Sequence, residues 1–393
     1  MKQGWTYKQL GEIATFIKDG DWIESKDQSE SGIRLIQTGN VGYGVFKIKD
    51  DKPHYITEDT MVRLGCTEIF EGDCLVSRLP NPVGRACLIP DIGCRMITAV
   101  DCSIIRFGKD YLPQFFIYYT QSYKYLNSID EKTTGTTRKR ISRKNLEKIQ
   151  IPMPPLSEQE RIVERLDAAF AQIDELKSNA EWQLAEARAL FQSALTQAMQ
   201  PKPGWQEKPL NAISHYSIGL TYKPADVAEN GTIVLRSSNI QNDRIDLTDL
   251  VRVSCPIKES LLVEEGDILM CSRNGSARLV GKVAMIPKTI ERMTYGTFMM
   301  VIKSEYNPYL LYFFKSDSFR NQIKHGEANM INQITRYMLD DVIVNVPPII
   351  EQNNVVAHLD ALSNHVKDLE EISRKTAAEC DALKQALLRQ IFE

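Results

Sequence analysis

Pro154-Pro155-Leu156-Ser157-Glu158-Gln159 and, 193 residues later, Pro347-Pro348-Ile349-Ile350-Glu351-Gln352 are two copies of one pattern. In each, a proline pair interrupts the chain, because proline fixes φ and has no N–H to donate. The residues after each pair read as a long helix. After the first pair, Ser157 and Glu160 fit a capping box, in which the serine hydroxyl accepts from a free helix-start N–H and the glutamate reaches back. Apolar residues then recur every three or four positions, through Leu166, Ile173, Leu176, Leu184 and Phe191, until Pro201, Pro203 and Gly204 stop the run. The second copy repeats the spacing through Leu359, Leu362, Val366, Leu369, Leu383 and Leu387. It lacks the serine cap and has a polar gap around Ser373 and Thr376.

The duplication extends outward from the prolines. Ile141 pairs with Ile334, Leu146 with Leu339, and Leu166-Asp167-Ala168 with Leu359-Asp360-Ala361, all in one register. Further out, Gly4-Trp5 returns as Gly204-Trp205 and Glu71-Gly72-Asp73 as Glu265-Gly266-Asp267. A period of about half the chain marks a repeated domain. Before each proline pair, short β-rich stretches (Ile33–Ile36, Ile104–Phe107, Ile233–Leu235, Asp267–Cys271, Phe298–Ile302) alternate with Gly, Asn, Asp and Pro. One helix is expected over 113–126 and one over 308–324.

A narrow apolar stripe on a long helix is a coiled-coil seam, and its simplest partner is its own repeat. Leu166, Ile173, Leu184, Phe191, Leu359, Leu362, Val366, Leu369, Leu383 and Leu387 are the expected seam residues. A helix of this length spans ~65 Å. A compact unit of such size, with a radius of gyration near ~15 Å, does not easily bridge that span, so antiparallel helices are expected. The predicted fold is α+β: two similar globular domains at opposite ends of an antiparallel two-helix coiled coil, related by a pseudo-twofold axis. The expected domains are 1–155, 156–200 (helix), 201–348 and 349–393 (helix).

Composition narrows the function. The 393 residues carry a net charge of −3. The segments 157–199 and 349–391 hold fifteen acids and nine bases, which leaves the remainder at +3, so any basic surface is local. No apolar run approaches the ~20 residues of a membrane span. The start Met1-Lys2-Gln3-Gly4-Trp5 reads as no signal peptide. Eight cysteines form no C-x-x-C pair, and reduced thiols in a cytoplasmic protein are expected rather than a zinc site. His54, His215, His325, His358 and His365 are scattered. No G-x-x-x-x-G-K-[ST] loop is present. A methyltransferase of the Asn/Asp-Pro-Pro-aromatic type would need Asn or Asp before Pro-Pro and an aromatic after it. Met153-Pro154-Pro155-Leu156 and Val346-Pro347-Pro348-Ile349 have neither. Neither catalysis nor a cofactor is expected.

Two similar domains held a set distance apart suit duplex DNA, where half-sites one turn apart lie ~34 Å from centre to centre. Polar and basic loops recur at matched places. Gln37, Thr38 and Asn40 match Arg236, Ser237 and Asn239. Arg78, Asn81 and Arg85 match Arg273, Asn274, Ser276 and Arg278. Amides suit adenine edges and arginine suits guanine. The most basic stretch, with Thr136, Thr137, Arg138, Lys139, Arg140 and Arg143, suits phosphates, and its counterpart supplies Asn332, Gln333 and Arg336. A coiled-coil adaptor with protein-binding end domains is the competing reading, and steep salt dependence of DNA affinity separates the two.

The whole chain resembles the specificity subunits of Type I restriction enzymes. The resemblance rests on the reader–helix–reader–helix order, the Gly-Trp starts, Glu-Gly-Asp at 71–73 and 265–267, the two Pro-Pro-x-x-Glu-Gln hexapeptides, and Gly-Thr-Thr-x-x-x-Ile at 135–141. The second half departs from that pattern at Gly326-Glu327-Ala328. The resemblance implies a non-catalytic subunit that reads an interrupted double-stranded DNA site. It further implies two methyltransferase subunits on the helices, restriction and translocase subunits joining them, and no membrane association.

Overall fold

The computed structural model describes residues 4–49, 51–135, 138–289, 291–323 and 333–393. The chain divides into two compact units, Met1–Ala180 with Ser373–Glu393, and Glu181–Ile372. The two long helices run Leu156–Ala198 and Ile349–Phe392. The units cut across both long helices, because the globular part of each packs on a segment of each helix.

In the first unit, Ala14–Asp19, Cys102–Phe107, Cys74–Ser77 and Ala86–Leu88 form an antiparallel sheet in that order. A second sheet holds Tyr55–Ile56, Ile33–Ile36, Met96–Thr98 and Glu68–Ile69, with a parallel pair at its centre. The second unit repeats the plan. His215–Ile218, Met299–Lys303, Ile268–Cys271 and Val283–Met285 form the antiparallel sheet. Val251–Val253, Val227–Leu235 and Met293–Tyr295 form the other, again with a parallel pair. A short strand after each Gly-Trp pairs with the strand leading into the prolines: Thr6–Gln9 with Gln150–Met153, and Gln206–Pro209 with Ile343–Val346.

Aromatic side chains fill both cores. Phe115, Phe116, Tyr119 and Tyr125 are buried in the first unit, and Tyr309, Phe313, Phe314 and Phe319 in the second. Each such burial contributes about 1.5–3 kcal/mol. They lie on helix pairs, not on the single helices expected: Pro113–Thr120 then Tyr123–Lys132, and Asn307–Lys315 then Asp317–Ile323. A buried serine makes each break. The Ser122 hydroxyl donates to Tyr119 O and accepts from Tyr125 N–H, and Ser316 does the same with Phe313 O and Phe319 N–H. A hydroxyl that ends one helix and caps the next offers the backbone an alternative to continuing.

The helix starts also differ from expectation. Ser157 lies exposed inside the first turn of the helix and so cannot be its cap. The repeated glutamine acts instead. Gln159, fully buried, donates to Pro154 O and Asp110 O and accepts from Leu112 N–H. Gln352 donates to Pro347 O in the same way.

Within each unit the helix segments run antiparallel. In the first, Lys177 pairs with Asp381 and Lys384 with Asp174; in the second, Arg188 pairs with Glu370, and Lys202, just beyond the end of the first helix, pairs with Glu351 near the start of the second. Partner numbers fall as the others rise. Leu166, Ile173 and Leu359 are buried, and Leu184, Phe191, Leu362, Val366, Leu369 and Leu387 are half-buried. Leu383 departs from the expected seam, being 49% exposed. The stripe passes instead through Cys380, Lys384, Leu387, Leu388 and Ile391. Lys384 serves there because its ammonium lies 4.9 Å from the centroid of the Phe170 ring and also reaches Asp174.

Candidate nucleic-acid interface

In each unit, loops at the ends of the strands converge. Gly20 ends the strand Ala14–Asp19 against the backbone of 98–99, where an added Cβ would sit 2.3 Å from Ala99 O. Gly219 does the same in the second unit, 2.2 Å from Tyr295 O. Only glycine permits such an approach. The adjoining backbone is shared: Asp21 bridges Ala99, and Leu220 bridges Gly296. Arg78 N–H bonds to Asp101 O at 2.9 Å, and Ser272 N–H to Phe298 O at 3.0 Å. The last loop joins through Ile141 N–H to Arg78 O and Ile334 N–H to Ser272 O.

Four residues expected to face DNA are buried instead. Asn40 closes its own loop, accepting from Gln37 N–H at 2.9 Å and donating to Lys47 O at 3.0 Å. Asn239 repeats this with Arg236 N–H at 2.9 Å and Asp246 O at 2.8 Å. Their amides hold the backbone of their own loops and are buried. Arg85 points inward to four carbonyls, those of Thr38, Val41, Leu79 and Pro82. Arg78 pairs with Asp19 at 3.1 Å and bonds Val100 O. Burial lowers both guanidinium pKa values, and Asp19 works against this at Arg78. These arginines tie loops together, because carbonyls that close a tight loop need donors and a guanidinium supplies five.

The other candidates lie at or near the surface. Gln37 and Thr38 are half-buried and Asn81 is exposed. Arg138 and Arg140 are exposed, and both pair with Asp101, at 3.7 and 3.1 Å. Lys139 pairs with Asp130 and Arg143 with Glu147. In the second unit Arg236 pairs with Asp249 at 2.8 Å, while Ser237 accepts from Asn274. Arg273, Ser276, Arg278, Gln333 and Arg336 are exposed. Arg273 lies over the Phe298 ring, 5.7 Å from its centroid, and Arg336 lies 6.0 Å from that of Tyr216. Thr136, Thr137 and Asn332 lie outside the described residues.

Sequence reasoning missed two contributors to each cluster: the turn after the first sheet strand, with Trp22 69% exposed, and the connection that carries Asp101 or Phe298. The usable signal was the shared glycine, Gly20 and Gly219, each in a run that otherwise reads as strand. Among the described residues no cluster of His, Cys, Asp or Glu could hold a metal, and no helix is long and apolar enough to cross a membrane.

A repeated α+β frame with two long helices is a fold shared with known proteins. The family model for the Type I restriction modification DNA specificity domain matches residues 2–184 and 202–379. The chain belongs to this family. The EcoKI specificity subunit of Escherichia coli (strain K12) is 26% identical over 314 residues, 74% of this chain and 67% of that protein. The StySPI specificity subunit of Salmonella potsdam is 23% identical over 310 residues, with the same coverage. The fold is shared with a chain from a study of complex assembly and conformational transition of the type I R-M system. That chain has a TM-score of 0.77 at 20% identity, over 100% of this chain and 98% of the other. The HsdS subunit from Thermoanaerobacter tengcongensis has a TM-score of 0.56 at 19% identity, over 100% and 97%. As a Type I specificity subunit, the chain recognises DNA and is not itself catalytic.

Proposed function

We propose that this specificity subunit reads an interrupted DNA site in the cytoplasm, one half-site per unit. It does so within a complex of two methyltransferase subunits joined by restriction and translocase subunits. The observation that carries the reading is the pair of matched loop clusters, built on the same backbone bonds but tipped with different side chains. Arg138, Lys139, Arg140 and Arg143 hold phosphates in the first unit. Arg273, Arg278 and Arg336, with Asn274, Ser276 and Gln333, face DNA in the second. Gln37, Thr38, Asn81, Arg236 and Ser237 line the loops beside them. The long helices carry the methyltransferase subunits.

Methylome sequencing of cells carrying this chain with its methyltransferase partner tests the reading. A two-part motif with a fixed spacer is expected. Replacing 1–155 by another reader changes one half of the motif only. A continuous motif, or both halves changing together, would refute the one-unit, one-half-site assignment.

A further inference from the structure

We propose that Arg273 and Phe298 form the base-reading element of the second unit, with Arg273 on a guanine and Phe298 against the methyl of a thymine in the neighbouring base pair. This rests on the DNA-reading function above and names the chemistry of one half-site.

The geometry is specific to this unit. Phe298 is 55% exposed, although a phenylalanine ordinarily gains from burial. It forms one wall of an open groove of ≈ 630 Å3, lined also by Leu220, Tyr222, Arg236, Ser237 and Met299. The Arg273 guanidinium lies over the ring at 5.7 Å. Stacking of this kind holds a long side chain in place while leaving the edge of its planar fork free. Among the described residues Arg273 makes no ion pair, whereas Arg138, Arg140 and Arg236 each face a carboxylate. An ordered, uncompensated fork beside an exposed apolar ring presents two kinds of contact. A bidentate arginine matches guanine O6 and N7, and phenylalanine matches the thymine methyl. The backbone fixes the pair from both sides: Arg273 N–H bonds to Phe298 O at 3.1 Å, and Arg273 bridges Gln333.

The test uses the chain assembled with its methyltransferase partner and duplexes carrying the mapped motif. Each guanine of the second unit's half-site is replaced in turn by 7-deazaguanine, and each thymine by deoxyuridine. For the wild-type complex, one 7-deazaguanine should weaken binding about 5- to 20-fold, because it removes N7 and leaves O6, about half of a bidentate contact. One adjacent deoxyuridine should weaken it about fourfold, the scale of one buried methyl. Arg273→Ala should be indifferent to the first replacement and Phe298→Ala to the second, and Arg273→Lys should recover only part of the guanine preference. The wild-type scan stands without any variant, so poor folding of a variant does not rescue the proposal. A half-site without guanine, or equal sensitivity of wild type and Arg273→Ala to 7-deazaguanine, overturns it while leaving the interrupted motif intact. Absence of any interrupted motif overturns the proposed function itself.

Discussion

At one place in the repeated frame the first unit carries Asp101 and the second carries Phe298. The backbone around them is the same: Cys102 N–H bonds to Ala99 O at 2.9 Å, and Met299 N–H to Gly296 O at 2.8 Å. The chemistry is opposite. Asp101 collects Arg138 and Arg140, while Phe298 is bare to solvent with an arginine laid across it. Deeper in, the two units agree again. Asp73 pairs with Arg106 where Asp267 pairs with Lys303, and Tyr118 bonds Asp167 where Tyr312 bonds Asp360. Shared positions are those whose polar groups the fold must satisfy on burial. Positions free to differ are those that water can satisfy.

The largest difference between the units is expected at Arg85, whose place Lys282 takes in the second. Arg85 serves four carbonyls, whereas Lys282 reaches only Ile240 O at 3.1 Å. Arg85→Ala should cost about 3–5 kcal/mol, because it leaves buried carbonyls unpaired. Lys282→Ala should cost about 1.5 kcal/mol, one hydrogen bond from a charged donor. Calorimetric unfolding checks both. Equal costs would show that Arg85 belongs to the surface after all.

A smaller contrast separates the two helix starts. Gln159→Leu removes bonds to Pro154 O, Asp110 O and Leu112 N–H, and Gln352→Leu removes the one to Pro347 O. The first should cost about 2–3 kcal/mol and the second about 1 kcal/mol, with Ser157→Ala near zero. A loss at Ser157→Ala as large as the usual ~1 kcal/mol of a missing cap would restore the capping box.

The repeat, the strand stretches and the two long helices were legible because they rest on periodicity and on proline, which act locally. Direction was not legible. An arginine in a glycine-containing loop reads the same whether it stays at the surface or turns to its own carbonyls: Arg85 is buried on four carbonyls, whereas Arg273 is exposed. Asn40 and Asn239 looked like base readers because an amide that closes a loop and one that meets adenine need the same side chain. Ser122 and Ser316 broke helices that periodicity alone would continue, since their hydroxyls compete with the backbone. The seam runs through Leu388 rather than Leu383, and Lys384 joins it by laying its ammonium over the Phe170 ring, a contact that a hydrophobic count does not register.

The charged tip of the first unit should be visible in salt dependence. Arg138→Ala with Arg140→Ala should weaken DNA binding for all sequences alike. The slope of log K against log salt should flatten by about 1–2, since each phosphate that is no longer neutralised removes about 0.9. Asp101→Asn should act in the other direction and strengthen binding a few-fold, by releasing both arginines from their carboxylate. Fluorescence binding across a salt series reads both changes. An Asp101→Asn variant that loses half-site preference instead would make Asp101 a base contact, and the two units would then be more alike than their side chains suggest.

The smallest contrast concerns alkaline pH. Cys74, Cys87 and Cys102 are buried in the first unit, whereas Cys271 is the buried thiol of the second unit's sheet. Burial raises the pKa of each, to about 12 for Cys87 and Cys102. A thiol whose folded pKa is raised is an acid that the fold keeps protonated. Its contribution is complete below the unfolded value near 9 and is lost as pH climbs from there toward about 12. The first unit, with more such thiols, should therefore lose stability faster than the second above pH 9. At about pH 8 a thiol reagent should label exposed Cys94 well before any of these. Two unfolding transitions that shift equally between about pH 9 and 10.5 would mean that the thiols are not what sets the alkaline response of this fold.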